Sequence, residues 1–346
     1  MNTYHAIVWI DNRLRLLDQR ELPHNVIYLE YTSAPAVAVA IREMVVRGAP
    51  AIGITAAYGM ALAALYCDAA SVKDVHAALG EADAVLRAAR PTAVNLFGAL
   101  DRVLARAANP ALKTVDAVRA AVLEEAHAIY EQERQANLAI GQHALPLVPD
   151  DACILHHCNT GPLATGEFGT ALRVIIAAHE AGKRVHAFVD ETRPRLQGAR
   201  LTAWELQQLG VPYTLIVDGA AAHIMRTRGV DLCVVGCDRI AANGDTANKI
   251  GTFHLALAAH AHGIPFYVVG PTSTIDLSTP TGDDIPLEER SEEEVTCVGS
   301  CRIAPVGATA ANPAFDVTPA RYITAIITER GVVRPPFAKT LAQLLR

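Results

Sequence analysis

The sequence is poor in the residues with which proteins bind nucleic acids. Only 5% of its 346 residues are aromatic, its formal net charge is −6, and lysine and arginine nowhere form a dense run. Surfaces that bind nucleic acids are basic, and single strands are held by stacking their bases on aromatic side chains. We therefore expect no nucleic-acid partner, although 51% hydrophobic residues are enough to build sizeable cores.

Features of secreted and membrane proteins are also scarce. The seven cysteines form no dense framework, which favours reduced thiols, and the first residues do not resemble a signal peptide. Residues 51–67 carry no charge, but they fall short of the roughly 20 apolar residues that cross a bilayer and are rich in alanine and glycine. We therefore predict a cytoplasmic protein without a membrane partner, in which residues 51–67 form a buried helix.

Sequence motifs for the common cofactors are missing. No Gly-x-Gly-x-x-Gly follows the first strand predicted after residue 146, and no P-loop motif occurs, which weakens a dinucleotide or P-loop interpretation. The pairs Cys233/Cys237 and Cys297/Cys301 lack zinc spacing, and the histidines between residues 254 and 262 match no ligand template. We expect neither a metal nor an organic cofactor.

Hydrophobic periodicity predicts two domains, residues 1–145 and residues 146–346. The first is predicted to begin with three short strands and to continue with helices, punctuated by proline, at residues 36–46, 51–65, 72–89, 93–107 and 115–145. In the second, short apolar runs predict strands at residues 153–156, 184–189, 213–217, 232–235 and 265–269. Helices are predicted between these strands, near residues 170–181, 201–209, 220–227 and 247–261.

Strands that alternate with helices are typical of parallel βαβ units. We therefore predict an α/β fold in which a mainly helical N-terminal domain with short strands precedes a parallel sheet covered by helices on both faces. Ligands of such sheets bind beyond the carboxyl ends of the strands. Polar residues follow every one of the five predicted strands, at residues 157–161, 190–198, 218–219, 238 and 271–274. The sequence thus predicts a pocket at one edge of the sheet that contains Cys158, Gln197, Asp238 and Lys249.

The most polar of these segments, residues 236–252, connects the apolar run 232–235 to a predicted helix. An ordinary connection between buried elements rarely carries two carboxylates, two amides and a lysine, so we interpret it as part of a site. Asp238 is a candidate acid or base if burial raises its pKa, but it can equally pair with Arg239 or cap a turn. Lys249 can instead be a solvated lysine. Cys158 can be a small buried residue, as most free cysteines are.

A candidate phosphate site lies at residues 47–53. Pro50 suits the first turn of a helix, and Gly48 lets the backbone approach a ligand closely. Free N–H groups at a helix start, with Arg47 beside them, favour an anion, although a plain helix start has the same pattern. Arg90, just before Pro91, is a second candidate, and its alternative is a surface arginine.

Together these segments resemble the methylthioribose-1-phosphate isomerase family, which is related to regulatory subunits of the eukaryotic guanine-nucleotide exchange factor for translation initiation. The resemblance covers nearly the whole chain and is carried, in the family's order, by residues 16–20, 47–53, 90–96, 157–161, 191–202 and 236–252. It implies a C-terminal Rossmann-like domain after a domain of strands and helices, and a homodimer. Two small departures from the family, Phe97 for a frequent tryptophan and Cys237 for a frequent alanine, touch no implied role.

The resemblance also implies roles for individual residues. Asp238 is expected to donate a proton and Cys158 to stabilise the transition state. The substrate, a small phosphorylated sugar, is expected to be held by seven residues: Arg47, Gly48, Ala49, Arg90, Gln197, Asn248 and Lys249.

The implied reaction is an aldose–ketose isomerisation in methionine salvage. It converts cyclic 5-methylthioribose 1-phosphate to open-chain 5-methylthioribulose 1-phosphate without a cofactor. One alternative is an isomerase of another C1-phosphorylated pentose, such as 5-deoxyribose 1-phosphate or ribose 1,5-bisphosphate. Another is a non-enzymatic regulatory subunit, against which the presence of Cys158, Asp238, Asn248 and Lys249 argues, because a protein that only binds has no need of the acid.

Overall fold

The structure is a computed structural model that describes residues 4–90 and 94–346. It contains two compact units: the N-terminal unit comprises the described residues up to Gln135 together with Pro162–Gly169, and the C-terminal unit comprises Ala136–Gly161 and Thr170–Arg346. This division differs from the single boundary predicted after residue 145. The start of the predicted helix 93–107, at residue 93, lies outside the described residues.

The N-terminal unit combines a small antiparallel sheet with helices. Its strands, in the order β1-β2-β3, are β1 (Ile7–Ile10), β2 (Arg13–Leu17) and β3 (Tyr28–Tyr31). The helices that follow along the chain are α1 (Ala34–Arg42), α2 (Ala49–Tyr66), α3 (Val72–Ala89), α4 (Val94–Ala107) and α5 (Val115–Ala144). Helix α5 runs across the division between the units, and the short helix α6 (Pro162–Thr165) belongs to the N-terminal unit.

Residues 162–169 belong to the N-terminal unit because they pack against its first elements. The Gln19 side chain donates a hydrogen bond to the Leu163 carbonyl at 2.8 Å. Gly48 approaches α6 so closely that a Cβ there would lie 2.6 Å from the Cα of Ala164. Such contacts join residues more than a hundred positions apart, so local periodicity does not predict them.

Helix α2 is apolar on all sides. By length and composition alone it could cross a membrane, yet 72% of its residues are buried inside the structure, and a core helix passes the same test. It packs against its neighbours at glycines: a Cβ at Gly53 would lie 2.9 Å from the Asn95 carbonyl oxygen, and one at Gly59 would lie 3.2 Å from Leu86. The packing accounts for its uniform hydrophobicity, as predicted for a buried helix.

The C-terminal unit is built on a mainly parallel sheet. Its strands along the chain are β4 (Asp151–His156), β5 (Arg184–Asp190), β6 (Tyr213–Ile216), β7 (Leu232–Val235), β8 (Arg239–Ala241), β9 (Thr246–Lys249), β10 (Phe266–Val269), β11 (Ile275–Asp276), β12 (Cys297–Val298), β13 (Cys301–Arg302), β14 (Phe315–Thr318), β15 (Ala325–Thr328) and β16 (Gly331–Val333). Its further helices are α7 (Ala171–Glu180), α8 (Ala203–Gln208), α9 (Ala221–Arg228), α10 (Thr252–Ala261), α11 (Glu293–Thr296) and α12 (Phe337–Leu344).

The large sheet has the order β16-β15-β10-β7-β4-β5-β6, and every neighbouring pair is parallel except β15 and β16. All five strands predicted from the sequence lie in it. Side chains of β7 alternate between two cores, Leu232 and Val234 facing one and Cys233 and Val235 the other, as the period of two in a strand requires. Helices α5 and α7 contribute to the first core and helices α9, α10 and α12 to the second, so the mixed α/β fold has a parallel-rich sheet covered on both faces.

The predictions of a loop over residues 236–252 and of a helix from residue 247 were wrong for the residues that form β8 and β9. Strands β8 and β9 form an antiparallel hairpin within a small sheet of the order β11-β8-β9-β14. Asp245 closes the turn, since its N–H donates to the Asn243 side chain at 2.9 Å. Pairing of β9 with strands on both sides overrides the helix propensity of its alanine and lysine, and the helix begins only after Gly251, whose φ is 99°.

Candidate functional site

The strand-end prediction places the polar segments at one edge of the large sheet, and the structure agrees. Because β4, β5, β6, β7 and β10 are parallel, the residues that follow them share the same edge. Five predicted site residues belong to the C-terminal unit: Cys158, Gln197, Asp238, Asn248 and Lys249. The other four belong to the N-terminal unit: Arg47, Gly48, Ala49 and Arg90.

Cys158 follows β4 in a strained and fully anchored loop. Its φ is 69°, in the left-handed region that costs a non-glycine residue on the order of 1–3 kcal/mol. Its N–H donates to Thr192 Oγ1 at 2.9 Å, and its carbonyl accepts from Thr202 Oγ1 at 2.7 Å. Thr192 also has a positive φ, of 65°. Such strain persists only when the surroundings impose it, so the loop holds this thiol in one position, where it is only 5% exposed.

The residues on either side of Cys158 are also hydrogen-bonded and buried. Asn159 Nδ2 donates to Thr202 Oγ1 at 3.1 Å and to Glu205 Oε2 at 2.5 Å. The imidazole of His157 is completely enclosed, with Nδ1 2.9 Å from Asp190 Oδ2 and Nε2 2.9 Å from the Ile250 carbonyl oxygen. Cys158 therefore lies in a loop that is buried and hydrogen-bonded on both sides of it.

Asp238 follows β7 at the start of the β8–β9 hairpin. Its N–H donates to the Ala247 carbonyl at 2.9 Å, which fixes its backbone to β9, and the residue is partly exposed. Arg239 Nη1 lies 3.6 Å from Asp276 Oδ2, so this arginine forms an ion pair with a carboxylate different from that of Asp238. The neighbouring Cys237 thiol is enclosed beside Thr274, and burial raises its pKa to about 12. Cys237 therefore stays a thiol and offers no nucleophile.

Asn248 and Lys249 lie on β9 and are buried, with exposed fractions of 4% and 6%. Asn248 Nδ2 donates to Thr252 Oγ1 at 3.0 Å. Lys249 Nζ donates to the Ala314 carbonyl at 2.7 Å and lies 4.4 Å from the centre of the Phe315 ring. The alternative that Lys249 is a solvated lysine was therefore wrong.

The backbone of Gly236 joins the loop after β4 to β9. A Cβ at this glycine would lie 2.6 Å from Thr160 Cγ2 and 3.9 Å from Asn248 Oδ1. Only a residue without a side chain lets these segments approach so closely. The structure thus brings together the loops that carry Cys158, Asp238 and Asn248.

Gln197 is buried at the start of a π-helical turn, Gly198–Thr202. Its Oε1 has no hydrogen-bond partner among the residues that the structure describes. An unpartnered buried acceptor costs about 1–3 kcal/mol, so it is poised to accept a hydrogen bond from a ligand hydroxyl. Turns of π-helix are frequent at functional sites, and the role of Gln197 in binding a substrate stays a prediction.

The four predicted residues of the N-terminal unit lie near the ends of helices. Gly48, with a φ of 98°, immediately precedes α2, and Ala49 is the first residue of that helix. A helix leaves the N–H groups of its first turn without partners, at the positive end of its dipole. Pro50, in that turn, has no N–H of its own. Arg47 directly precedes Gly48, and Arg90 directly follows α3. Both arginines are partly buried. These positions suit an anion such as a phosphate.

Several residues that build the site were not predicted as such. Thr192, Thr202 and Glu205 hold the Cys158 loop, and His157 joins it to Asp190. A histidine next to a cysteine at the end of a strand was a signal for His157. The threonines gave no signal, because their role depends on contacts across more than thirty positions.

One cluster in the described parts of the chain brings three potential metal-ligand atoms within 4.8 Å of one another, on His157, Asp190 and Asp218. Hydrogen bonds already account for it. The two Asp218 oxygens accept from the N–H groups of Thr192 and Arg193 at 2.8 and 2.7 Å, and His157 Nδ1 is engaged with Asp190. We assign these residues to a hydrogen-bonded network rather than to a metal site.

Comparisons with known proteins indicate the family of the chain. The model of the initiation factor 2 subunit family matches residues 45–335. The methylthioribose-1-phosphate isomerase of Synechococcus sp. is 53% identical over 345 residues, covering 100% of this chain and 99% of the relative. That of Syntrophotalea carbinolica is 55% identical over 338 residues, covering 98% of each chain.

A solved structure supports the same family. The 5-methylthioribose 1-phosphate isomerase of Pyrococcus horikoshii has a TM-score of 0.95 and 44% identity, covering 99% of this chain and 95% of that one. Identity above 50% to isomerases along the whole sequence, together with this structural match, decides the relationship. The chain therefore belongs to the methylthioribose-1-phosphate isomerases of the initiation factor 2 subunit family.

Proposed function

We propose that the protein converts 5-methylthioribose 1-phosphate to 5-methylthioribulose 1-phosphate in methionine salvage. The observation that carries this proposal is identity of 53–55% to isomerases of that name over essentially the whole chain. The anchored Cys158 loop and the unpartnered Gln197 oxygen support it, because they form a site ready for a polar ligand.

The substrate determines what the site must do. The phosphate on C1 blocks the free aldehyde, so the ring has to open while the phosphate stays in place. Asp238 protonates the ring oxygen as its bond to C1 breaks. The net change moves one hydrogen from C2 to C1 and one proton from the C2 hydroxyl to the former ring oxygen, so the reaction balances without any cofactor. Asp238 is the acid in this step.

Two routes for the hydrogen remain open, and they ask different things of Cys158. In a proton route, its thiolate removes the proton from C2 and an enolate-like intermediate forms. In a hydride route, hydrogen passes directly from C2 to C1, and the loop chiefly polarises the substrate and excludes water. A thiol that is only 5% exposed and rigidly held suits both routes.

The remaining predicted residues would bind the substrate. We assign the phosphate to Arg47 and Arg90 and to the backbone at Gly48 and Ala49, since guanidinium groups and helix N-termini both favour phosphate. We assign the sugar hydroxyls to the amides and the ammonium that line the sheet edge, on Gln197, Asn248 and Lys249.

We also propose the finer features that the resemblance implies. The six parallel strands with helices on both faces support a Rossmann-like class for the C-terminal unit. A homodimer is the expected assembly, and the sparse cysteines and negative charge support a cytoplasmic location.

A second candidate deserves a test because of one similarity. The solved translation initiation factor eIF-2B, subunit delta, from A. fulgidus has a TM-score of 0.91 and 40% identity, covering 99% of each chain. A regulatory subunit of that kind would bind a ligand without turning it over.

The decisive experiment measures turnover of 5-methylthioribose 1-phosphate, 5-deoxyribose 1-phosphate and ribose 1,5-bisphosphate, with Asp238→Asn as the matched control. A kcat/KM preference for the methylthio sugar that the variant loses is the expected result. Preference for another sugar would keep the chemistry and change the substrate. Absence of turnover on all three would contradict the proposal and favour the regulatory subunit.

A further inference from the structure

We infer that His157 is a positioning residue for the isomerisation: held as an imidazolium by Asp190, it ties the Cys158 loop to the end of β9. The inference deepens the proposed function and depends on it for its readout in turnover. His157 itself is enclosed within the C-terminal unit and need not touch the substrate.

The hydrogen bonds of the His157 ring require both nitrogens to donate when Asp190 is ionised. Nε2 lies 2.9 Å from the carbonyl oxygen of Ile250, which can only accept, so Nε2 carries a proton. Nδ1 lies 2.9 Å from Asp190 Oδ2, and an ionised carboxylate also only accepts. An imidazolium opposite a carboxylate satisfies both contacts at once, whereas a neutral ring satisfies both only if Asp190 takes up the proton.

The same ring connects two segments that carry proposed site residues. On one side it directly precedes Cys158, and on the other it binds the residue that follows Lys249. Gly251, with a φ of 99°, lies so close to the ring that a Cβ there would be 2.9 Å from His157 Cε1. Asp316 holds this turn from the other side, accepting from the N–H of Gly251 at 2.8 Å. Loss of the His157 contacts would therefore free both segments together.

The surrounding charges favour the imidazolium. Burial alone lowers the pKa of His157, but the hydrogen bond and the charge of Asp190 outweigh it and raise the pKa to about 9. Burial holds the pKa of Asp190 above its ordinary value, and the hydrogen bond and charge of His157 offset that effect only in part. Several titratable groups in and around the pair interact through their charges. His156 and Cys158 flank His157 at the end of β4, and Asp190 ends β5. Asp218 follows β6, His254 lies on α10 and Asp316 lies on β14.

The charged groups around the ring raise the pKa of His157 on balance. Asp190, Cys158 and Asp218 raise the pKa of His157, whereas His156 is itself held neutral by burial, which lowers its pKa to about 4. The imidazolium is therefore present below about pH 9 and is lost as the pH rises through that value. If turnover requires it, kcat falls over the same range.

The test replaces Asp190 with asparagine. Asp190→Asn keeps a side chain of the same shape that can hydrogen-bond Nδ1, but it removes the charge that keeps the ring protonated. We expect the alkaline limb of the kcat profile to move to lower pH by about two units, since the charge that most strongly opposes the effect of burial on His157 is then gone. At pH 8 this corresponds to a loss in kcat of about 10-fold that is largely recovered at pH 6. A loss of kcat that is equal at every pH would overturn the inference, because a merely structural role predicts that result.

A matched control is available one residue away. His156 is equally buried, and its Nδ1 lies 2.8 Å from the Val234 carbonyl, but it is neutral. His156→Asn keeps a donor toward that carbonyl, so it is expected to lower stability without moving the alkaline limb. An equal shift in this control would contradict a specific role for the His157–Asp190 pair.

A measurement on the unaltered protein keeps the inference testable if the variant does not fold. Titration of isotope-labelled histidine by NMR is expected to show a fully enclosed imidazole that stays doubly protonated above pH 8. A neutral His157 ring at pH 7 would overturn the inference. If the wild-type protein turns over none of the three sugars but shows this imidazolium, the proposed function fails while the electrostatic assignment stands.

Discussion

Thr192 offers the sharpest test of whether the strained loop matters. Its hydroxyl accepts the N–H of Cys158 at 2.9 Å and donates to the carbonyl of Asp190 at 3.1 Å, and the residue has no exposed surface. Thr192→Val preserves the shape and the β-branch but removes both hydrogen bonds. The perturbation is therefore confined to the anchor of the cysteine loop.

The size of the effect follows from what the substitution leaves behind. The N–H of Cys158 becomes a buried donor without a partner, at a cost of about 1–3 kcal/mol, and the lost bond to Asp190 adds about 1 kcal/mol. We expect the free energy of unfolding of the C-terminal unit to fall by about 2–4 kcal/mol. Relaxation of the left-handed Cys158 backbone would also displace the thiol, and a displacement of about 1 Å can lower kcat about 100-fold.

The assay combines urea unfolding with steady-state kinetics. Trp204, buried in α8 close to Thr202, reports on this unit, and a Trp9→Phe background removes the other of the two tryptophans in the sequence. The matched control is Thr318→Val in the same unit. Thr318 is equally buried, and its hydroxyl has no partner among the described residues, so this change is expected to be neutral or stabilising.

A second control separates the hydroxyl from the shape. Thr192→Ser keeps both hydrogen bonds and is expected to retain kcat within a few fold. The reasoning is refuted by two results together: Thr192→Val has the same free energy of unfolding as Thr318→Val, and it has the same kcat as Thr192→Ser. The loop then does not depend on this anchor.

The remaining predictions concern the proposed roles and the buried pair. Asp238→Asn should lower kcat strongly while KM stays within a few fold, and retained turnover would remove Asp238 from the acid role. Cys158→Ser should lower kcat about 100-fold or more if the thiolate acts as a base. Arg47→Ala should raise KM and weaken inhibition by inorganic phosphate, and unchanged values of both would exclude it as a phosphate ligand. The raised pKa of His157 should stabilise the fold fully below about pH 6.5 and cease to do so as the pH rises through about 9, which urea-unfolding midpoints at several pH values would show.

The proposals depend on one another in a definite order. Turnover of the methylthio sugar tests the function, Asp238→Asn tests the chemistry, and the pH profile of Asp190→Asn tests the support of the cysteine loop. A failure at the second or third step leaves the family membership of the chain unchanged, because that rests on identity along the whole sequence.

Much of the large sheet was predictable because its signal is local. The runs that became β4, β5, β6, β7 and β10 are short, apolar and separated by helical segments, and parallel pairing then places their carboxyl ends at one edge. Cys158 and Asp238 could be singled out on this basis, since each lies in the segment that follows one of these strands.

The β8–β9 hairpin and the division into units could not be predicted in the same way. The residues of β9 have the composition of a helix start, and they form a strand because Phe315–Thr318, far along the chain, pairs with them. Similarly, Pro162–Gly169 belongs to the N-terminal unit because of contacts such as that of Gln19 with the Leu163 carbonyl.

The sequence by itself determined the class of fold, five of the seven strands of the large sheet and the residue types at its edge, because each depends on a local pattern of apolar and polar side chains. Only the tertiary structure decided that Lys249 is buried, that Cys158 is held in a left-handed conformation and that His157 faces Asp190. These features arise from contacts between segments distant in the chain, and their energies come from burial and from hydrogen bonds that no local pattern encodes.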